Sequence, residues 1–345
     1  MARPISSAKK ARKVSEQKST KKPKVYVTRK IPKAGIDILK KHCIVKVYNK
    51  NQKIPKTQLN KAAQWADALL TLLTEKIDKK FLAKHKHLKV IANYAVGYDN
   101  IDLAAATEHN TVITNTPGVL TDAVAEHTVA LMLAIARRIT EADHYAKAHK
   151  YKVWQPMLLM GSQLRGKTLG IIGSGRIGAD VAQKCYHAFG MKILYVDTHR
   201  NDALEIATNA KKTSLATLCK RADVISLHVP LCSSTYHLIG SEELRLMKKT
   251  AFLINTARGP VVDEKALLKA LQRKHIAGAA LDVFEFEPKI TKGLEKLSNL
   301  ILTPHIASAT REARDQMAVI AAKNISAILK GKRAANVVNK DIYTS

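Results

Sequence analysis

The sequence predicts an α/β protein built from two doubly wound, parallel-sheet lobes with a cleft between them. Its 345 residues suit two domains rather than one. Apolar residues make up 46% and charged residues 25%, which is typical of a packed globular protein. Short apolar, β-branched runs alternate with helical stretches in two separate series, and such alternation indicates βαβ units with a parallel sheet.

The first series begins after Lys24. We predict strands at 25–28, 43–47, 68–73, 88–95 and 111–115 and helices at 33–41 and 78–84. A long helix follows from residue 121 to about 139. Because it is apolar on nearly all sides, we expect it to be buried between domains or subunits.

The second series begins at Lys167. We predict strands at 168–172, 192–196, 223–228, 251–255, 277–282 and 299–303 and helices at 176–188, 242–248 and 264–274. A final helical period covers 310–329 and ends before Gly331, a typical residue at a helix C-terminus.

The net charge of +30 first suggests a nucleic-acid partner. Residues 1–24 hold nine Lys or Arg and one acid, a net +8, and lack large apolar residues, so we expect a disordered basic tail. A transit peptide is the alternative, but the segment lacks an amphipathic stripe. The remaining +22 is spread along the chain. No aromatic-interleaved basic patch or helix-turn-helix is present, so nucleic-acid binding is not favoured.

Composition also bears on location and metal binding. No window of about 18 apolar residues predicts a membrane span, and no signal-peptide core follows Met1. The four cysteines lie far apart and form no C-x-x-C, which disfavours a zinc site or disulfide framework: Cys43, Cys185, Cys219 and Cys232. We therefore expect no metal and a cytoplasmic location.

A glycine-rich turn after the strand at 168–172 matches G-x-G-x-x-G. It consists of Gly173, Ser174, Gly175, Arg176, Ile177 and Gly178. The turn opens a helix, and Asp197 ends the next strand, which together favour a Rossmann dinucleotide site with pyrophosphate at the helix N-terminus. A carboxylate at Asp197 would bind ribose hydroxyls and repel a 2′-phosphate, so we expect NAD(H) to be preferred. Arg200 leaves NADP(H) use open. The alternative is a turn without a ligand, with Asp197 capping a strand.

Three segments at strand ends of the same lobe carry Arg258, Glu287 and His305. Ligands bind beyond the carboxyl ends of such strands, so we expect the three side chains to converge. Imidazoles titrate near neutral pH, which makes His305 a candidate proton donor to a carbonyl that accepts hydride. Glu287 would favour the imidazolium, and Arg258 could bind a carboxylate and polarise the adjacent carbonyl. Each residue taken alone is more often structural.

Several segments together resemble the D-isomer-specific 2-hydroxyacid dehydrogenases, most closely the glyoxylate (hydroxypyruvate) reductases, from about residue 24 to 334. The resembling segments are DALLTLLTEK (67–76), ANYAVGYDNID (92–102), TNTPGVLTD (114–122) and LGIIGSGRIG (169–178), with INTARGPVVD (254–263), LDVFEFEP (281–288) and LTPHIASAT (302–310).

The resemblance implies roles for individual residues. It makes Arg258 a substrate-binding residue, Glu287 the support of the acid/base, and His305 the acid/base itself. It implies that the N–H groups of Val96 and Gly97 bind the substrate carboxylate and that Leu72 lies over the small side of the substrate. Around the cofactor it adds Thr121, Val229, Pro230, Thr235, Ala257 and Asp282, the last near the nicotinamide amide.

The resemblance also implies an architecture and a partner. A flavodoxin-like outer domain would comprise 25–119 and 309–334, around an NAD-binding Rossmann domain at 120–308. The inter-lobe helix would contribute to a homodimer.

Two departures from the family pattern stand out. The chain reads Asp197-Thr-His-Arg200 where NADP-using glyoxylate reductases tend to read Ser-Arg-Thr-Arg, and His305-Ile-Ala where many members read His-Ile-Gly. The first departure supports NAD(H).

The expected activity is NADH-dependent reduction of a small anionic 2-oxo acid to the 2-hydroxy acid. D-Lactate, phosphoglycerate and phosphite dehydrogenases remain alternatives, although no regulatory domain follows residue 334, as it does in longer phosphoglycerate enzymes. Glu287 disfavours the formate type, which carries Gln there. A dinucleotide-sensing, co-repressor-like protein is an alternative of another class.

Overall fold

The computed structural model describes residues 21–343, so most of the expected basic tail lies outside the described residues. Lys24, which we assigned to that tail, is instead the first residue of strand β1. Its side chain lies over the ring of Trp65, and its backbone N–H donates to Asp67 at 2.7 Å.

The outer lobe is a five-stranded, all-parallel sheet in the order β2-β1-β3-β4-β5. This is the flavodoxin-like strand order. Its elements are β1 (Lys24–Val27), α1 (Lys33–Lys40), β2 (Ile44–Val47), α2 (Lys56–Trp65), β3 (Ala68–Thr71), α3 (Lys79–Lys84), β4 (Val90–Asn93), α4 (Leu103–Glu108) and β5 (Val112–Thr114).

The second lobe is a seven-stranded parallel sheet in the order β12-β11-β10-β9-β6-β7-β8, which contains the Rossmann order. Its elements are α5 (Thr121–Ala136), α6 (Ile139–Lys147), β6 (Thr168–Ile172), α7 (Arg176–Phe189), β7 (Lys192–Val196), α8 (Asp202–Thr208), β8 (Lys211–Lys212), α9 (Leu215–Arg221), β9 (Val224–Leu227), α10 (Ser241–Leu246), β10 (Phe252–Asn255), α11 (Glu264–Gln272), β11 (Gly278–Leu281) and β12 (Leu300–Leu302). Short 3-10 turns occupy Gly259–Val261, Leu294–Lys296 and Lys340–Tyr343.

The predicted fold class is confirmed, but several short elements escaped the sequence analysis: α2, α4, α6, α8, α9 and β8. Helices α4, α8 and α9 have only six or seven residues, too few to show an apolar period. Each is preceded by a polar side chain that accepts from the amide of the third helical residue: Asp102, Asn201 and Ser214. These capping residues were the feature of the sequence from which the three short helices could have been predicted.

Helix α5 connects the two lobes. It ends at Ala136 rather than near residue 139, because Arg138 adopts a left-handed conformation with φ 55° and α6 then starts in a new direction. Val124, near its beginning, packs in the outer-lobe core, whereas Leu131 and Ile135 pack in the core of the second lobe. The sequence expectation of a helix buried between domains is therefore met at its first turns. None of the helices described is long and apolar enough to cross a membrane.

Helix α12 (Arg311–Leu329) returns the chain to the outer lobe. It packs on α1 so closely that a Cβ on Gly35 would lie 2.5 Å from the Ala318 carbonyl oxygen. Residues after 334, where we expected the outer domain to end, continue on this lobe. The Val338 amide donates to the Ile113 carbonyl at 2.8 Å, and the Asn339 side chain accepts from the Ile113 amide at 2.8 Å.

The close contact between α1 and α12 generates a prediction for stability. Gly35→Ala should destabilise the protein by about 1–3 kcal/mol, because the added methyl meets backbone that cannot move aside cheaply. Urea unfolding measures the change. Gly240→Ala is the control, since its added Cβ would find ordinary contacts at 3.6 Å and beyond. Equal stability of both variants and the wild type would contradict this account of the packing.

Candidate active site

A cleft of about 860 Å³ lies between the lobes at the carboxyl ends of their strands. It is the position in which open α/β sheets bind ligands. Twelve residues singled out from the sequence line it: Leu72, Val96, Gly97, Gly175, Arg176, Ile177, Val229, Pro230, Ala257, Arg258, Glu287 and His305. The structure therefore brings the three candidate catalytic side chains and the predicted substrate loop into one cavity.

The other singled-out residues do not line this cavity: Gly173, Ser174, Gly178, Asp197, Thr121, Thr235 and Asp282. Thr121 is the first residue of α5. Thr235 braces the loop after β9, because its hydroxyl donates to the Pro230 carbonyl at 2.6 Å and accepts from the Cys232 amide at 2.9 Å.

The glycine-rich turn has the geometry that the motif requires. Gly173 has φ +93°, which favours glycine, and a Cβ on Gly178 would lie 2.0 Å from the Gly173 carbonyl oxygen. Nothing lies within 4 Å of a Cβ position on Gly175. Helix α7 begins immediately after Gly175, so its first N–H groups and its positive dipole end face this open space.

Asp197 is tied to that turn. Its Oδ2 accepts from the Ser174 amide at 2.7 Å and from the Ser174 hydroxyl at 2.8 Å. Partial burial alone would raise the pKa of Asp197, but these hydrogen bonds lower it below the usual value. A negative charge is therefore fixed beside the turn at neutral pH.

Arg200 is engaged by acids of its own lobe. Its Nη2 and Nε lie 2.6 and 3.0 Å from Oε2 of Glu205, and its Nε lies 3.0 Å from Asp202. The Tyr195 hydroxyl donates to the other Glu205 oxygen at 2.6 Å. The Tyr195 hydroxyl and the Arg200 guanidinium together lower the pKa of Glu205. Arg200 and Glu205 therefore form an ion pair at neutral pH.

His305 and Glu287 form a pair at the cleft. His305 Nδ1 lies 3.1 Å from Glu287 Oε2, and the two side chains are 28% and 31% exposed. The other Glu287 oxygen accepts from the Phe284 amide at 3.1 Å. Because Nδ1 is engaged, Nε2 is the ring atom of His305 left for a ligand. Within the described residues, Nε2 makes no hydrogen bond.

The backbone of His305 is held by Asp282. His305 has φ 55°, a left-handed conformation that side chains rarely adopt, and its amide donates to the Asp282 carbonyl at 2.8 Å. The fully buried Asp282 carboxylate accepts from the Thr303 hydroxyl at 2.6 Å and from the amides of Ile306 and Ala307 at 2.9 and 2.8 Å. The loop that carries His305 is thus wrapped around one carboxylate.

Two polar residues of α5 support the candidate catalytic loops and were missed by the sequence analysis. His127 Nε2 lies 3.5 Å from Asp282 and 3.3 Å from the Thr303 hydroxyl. The Thr128 hydroxyl lies 2.9 Å from that of Thr256, two residues before Arg258. The available signal was their polarity near the middle of a mostly apolar helix.

Burial alone would raise the pKa of Asp282. The hydrogen bonds from His127, Thr303 and the backbone outweigh burial and lower its pKa below the ordinary value.

Arg258 is oriented by a second buried polar side chain, also missed. The Asn255 amide group donates to the Arg258 carbonyl at 2.9 Å, and its oxygen accepts from the Ala257 amide at 3.0 Å. The guanidinium then reaches across the cleft, where its Nε donates to Asp99 of the outer lobe at 2.9 Å. Its Nη2 lies so close to Gly97 that a Cβ there would be 1.8 Å away.

The loop after β4 presents backbone donors to the cleft. The side chain of Asn115 donates to the Val96 carbonyl at 2.8 Å, and that of Asn93 donates to the Gly97 carbonyl at 2.9 Å. Both carbonyls are thereby turned into the outer lobe. Within the described residues, the amides of Val96 and Gly97 donate to no protein acceptor. Two free N–H groups beside Arg258 form a suitable anion site.

Leu72 is fixed on the outer side of the cleft by a buried acid. Glu75 accepts from the Leu72 amide at 2.7 Å and from the hydroxyls of Thr28 and Thr74, each at 2.7 Å. The Asn100 side chain donates to the Leu72 carbonyl at 3.3 Å. The apolar side chain of Leu72 is therefore held at a defined place beside the anion site.

The charges of the cleft favour anionic ligands. Four arginines line it, against the two carboxylates Asp99 and Glu287, so cationic side chains are in excess: Arg29, Arg176, Arg258 and Arg314. The second histidine of the cleft, His228, is different in character. Loss of solvation lowers the pKa of His228 to about 3, so this imidazole is neutral at physiological pH.

The residues fit a dinucleotide. The turn at Gly173 and Gly178 leaves room for the pyrophosphate at the start of α7, and Asp197 stands at the end of the neighbouring strand β7. Val229 and Pro230 after β9 and Ala257 after β10 complete an apolar and backbone surface on the same side of the cleft.

Comparisons with known proteins agree with this geometry. The family described as D-isomer specific 2-hydroxyacid dehydrogenase, NAD binding domain, matches residues 129–307. The glyoxylate reductase of Thermococcus litoralis is 49% identical over 328 residues, which cover 94% of this chain and 99% of that protein. The solved structure of the TT0316 protein from Thermus thermophilus superposes with a TM-score of 0.86 at 42% identity, covering 91% of this chain and 99% of that one.

Solved relatives have been described with both nicotinamide cofactors. A D-lactate dehydrogenase from Aquifex aeolicus, complexed with NAD and lactic acid, has a TM-score of 0.80 at 33% identity and covers 92% of this chain and 99% of its own. An NADPH-dependent glyoxylate/hydroxypyruvate reductase from Sinorhizobium meliloti, in complex with NADP and malonate, has a TM-score of 0.79 at 29% identity. The match covers 92% of this chain and 97% of that one. Given this fold, this cleft and these similarities, the chain belongs to the D-isomer-specific 2-hydroxyacid dehydrogenase family and is a D-2-hydroxyacid dehydrogenase.

Proposed function

We propose that this enzyme reduces glyoxylate and closely related small 2-oxo acids, such as hydroxypyruvate, to the 2-hydroxy acids with NADH. One observation carries the proposal. The His305–Glu287 pair, the Arg258 guanidinium and the free amides of Val96 and Gly97 line a single cleft, which supplies a proton donor and a carboxylate site together.

Substrate binding follows from the donors that the cleft leaves free. The amides of Val96 and Gly97 bind the carboxylate of the 2-oxo acid, and Arg258 Nη2 binds the same carboxylate and the adjacent carbonyl oxygen. Leu72 lies over the small side of the substrate. Glyoxylate, whose carbonyl carbon bears only hydrogen there, fits most easily, and hydroxypyruvate is the next size up.

Proton transfer is the work of His305. NADH, when bound, would supply the hydride, and the carbonyl oxygen of the substrate would then carry the developing negative charge. His305 donates its Nε2 proton to that oxygen, while Arg258 stabilises the charge as it forms. Glu287 holds Nδ1 and favours the protonated ring before transfer.

The preference for NADH rests on two features of the adenosine end. We propose that Asp197 binds the ribose hydroxyls and repels a 2′-phosphate. Arg200, the nearby cation that would attract such a phosphate, has its Nη2 and Nε occupied by Glu205. We expect NADP(H) still to be used, though more weakly than NADH. The reason is that 69% of the Arg200 side chain is exposed, so it can turn away from Glu205 toward solvent.

A homodimer is the assembly that the surface favours. Six large apolar side chains are exposed on α6 and the irregular segment after it: Ile139, Tyr151, Val153, Trp154, Met157 and Met160. The most exposed of the six is Trp154, at 74%. We name these six residues the apolar arm. Exposed apolar side chains concentrated in one stretch of the chain are typical of protein interfaces, and we propose that a second copy of the chain covers the apolar arm. The four unpaired cysteines fit the reducing cytoplasm that we propose as the location.

The activity is tested by NADH oxidation with glyoxylate, hydroxypyruvate and pyruvate. We expect turnover with glyoxylate, and His305→Asn should lower kcat by about 10²–10⁴-fold while NADH affinity is retained. His187→Asn, an exposed histidine on α7, is the control. A wild-type protein that binds NADH but turns over none of the three acids would overturn the proposal and favour a dinucleotide-sensing role.

Cofactor choice is tested with Glu205→Gln. This variant keeps an acceptor for the Tyr195 hydroxyl but removes the carboxylate charge beside Arg200 Nη2, leaving only Asp202 paired with Nε. The value of kcat/KM with NADPH should therefore rise about tenfold relative to NADH, the size of one charge-assisted hydrogen bond. Glu242→Gln, an exposed acid on α10, should change nothing. The explanation fails if the wild type prefers NADPH, or if the ratio of the two cofactors stays constant.

Assembly is tested by sedimentation and light scattering. The wild type should have twice the mass of one chain. Trp154→Ala should weaken association about 30-fold or more, since truncating a central aromatic costs about 2 kcal/mol or more. Ile206→Ala removes a side chain that is 84% exposed but isolated, and should not weaken association. A monomeric wild type would refute the proposed dimer.

A further inference from the structure

Arg258 has only part of its donor set available to a ligand. The guanidinium carries five N–H groups. Its Nε donates to Asp99 Oδ1 at 2.9 Å, and its Nη1 donates to the Ala257 carbonyl at 2.8 Å. The Nη2 group, which faces Gly97, has no acceptor within the described residues. The two bonds therefore fix the plane of the guanidinium and leave Nη2 toward the free amides.

Asp99 lies on a loop that is itself held in place. The Ile101 amide donates to the Tyr98 carbonyl at 2.9 Å, and the Asn100 side chain donates to the Glu75 carbonyl at 2.9 Å. The Asp99 side chain is 35% exposed and that of Arg258 is 23% exposed. Asp99 is thus a partly buried carboxylate at a defined position of the outer lobe.

The ion pair crosses the cleft. Asp99 follows β4 in the outer lobe, whereas Arg258 follows β10 in the Rossmann lobe. The proposed carboxylate site also takes donors from both lobes, namely the amides of Val96 and Gly97 on one side and Arg258 on the other. Such a site is complete only when the lobes keep one relative position.

We propose that Asp99 is a positioning residue for substrate binding, which holds Arg258 through Nε so that Nη2 and the amides of Val96 and Gly97 converge on one carboxylate. The inference rests on the proposed function, because it assigns Asp99 to the same site. An ion pair with this exposure contributes little to fold stability. Its consequence is therefore geometric, and its loss should affect ligand binding far more than folding.

The test compares Asp99→Ala and Asp99→Asn with the wild type. The probe is oxamate, an unreactive analogue of a 2-oxo acid, whose binding to the enzyme–NADH complex is followed by NADH fluorescence. Asp99→Ala should raise the oxamate Kd about tenfold or more, since a misplaced guanidinium loses a charge-assisted contact. NADH affinity and Tm should change little. Asp99→Asn keeps an oxygen acceptor for Nε and should restore most of the affinity.

Glu108→Ala is the matched control, because Glu108 forms an outer-lobe ion pair with Lys79 at 3.4 Å away from the cleft. Unchanged oxamate binding in Asp99→Ala would overturn the inference, and so would equal losses of oxamate and NADH affinity.

Crystal structures of the wild type and Asp99→Ala give a readout without turnover. Arg258 should keep its orientation in the wild type and lose it in the variant. An unchanged Arg258 in the variant rejects the positioning role, whereas an inactive wild type with an ordered Arg258 rejects only the proposed substrate.

Discussion

The buried carboxylate of Asp282 is the interaction on which the candidate active site depends. Removing a carboxylate from water costs several kcal/mol unless it is well paired, and here the Thr303 hydroxyl and two backbone amides offset that cost. Those bonds hold His305 in its left-handed conformation. Because they lower the pKa of Asp282, their stabilisation is present above the ordinary aspartate pKa and is lost as pH falls through the lowered folded value. The loop therefore stays ordered throughout the range in which an imidazole titrates.

A second constraint is the direction in which peptide groups point. The side chains of Asn93 and Asn115 bind the carbonyls of Gly97 and Val96, and Asn255 binds the carbonyl of Arg258. A carbonyl that accepts a hydrogen bond within the protein repels an incoming anion less strongly, so these amide side chains leave the N–H groups of the loops as their more effective polar surface. The outer lobe thereby contributes the neutral N–H groups of Val96 and Gly97 to the cleft, and the Rossmann lobe contributes Arg258, Glu287 and His305.

The sequence predicted the fold class and the residues of the cleft better than it predicted what supports them. The glycine-rich turn and the segments with Arg258, Glu287 and His305 are local patterns, each readable within about ten residues. The supporting contacts join distant parts of the chain, such as His127 on α5 with Asp282 after β11, so no spacing reveals them. Their residues also look ordinary: a histidine in an apolar helix is more often structural.

The net charge of the sequence was likewise a poor guide to what the protein binds. The +30 of the chain suggested a polyanionic partner, but a count of basic residues does not say which of their nitrogen atoms already bind acceptors of the chain itself. Glu205 accepts from both Nη2 and Nε of Arg200, whereas Nη1 of Arg200 has no acceptor within the described residues. Asp99 takes only Nε of Arg258 and leaves Nη2 toward the cleft. Each arginine therefore has two of its three nitrogens engaged by the protein, and the third is Nη1 in Arg200 and Nη2 in Arg258. The nitrogen that no carboxylate or carbonyl of the chain occupies sets the direction from which each guanidinium can bind an anion, and the number of basic residues in the sequence does not reveal that direction.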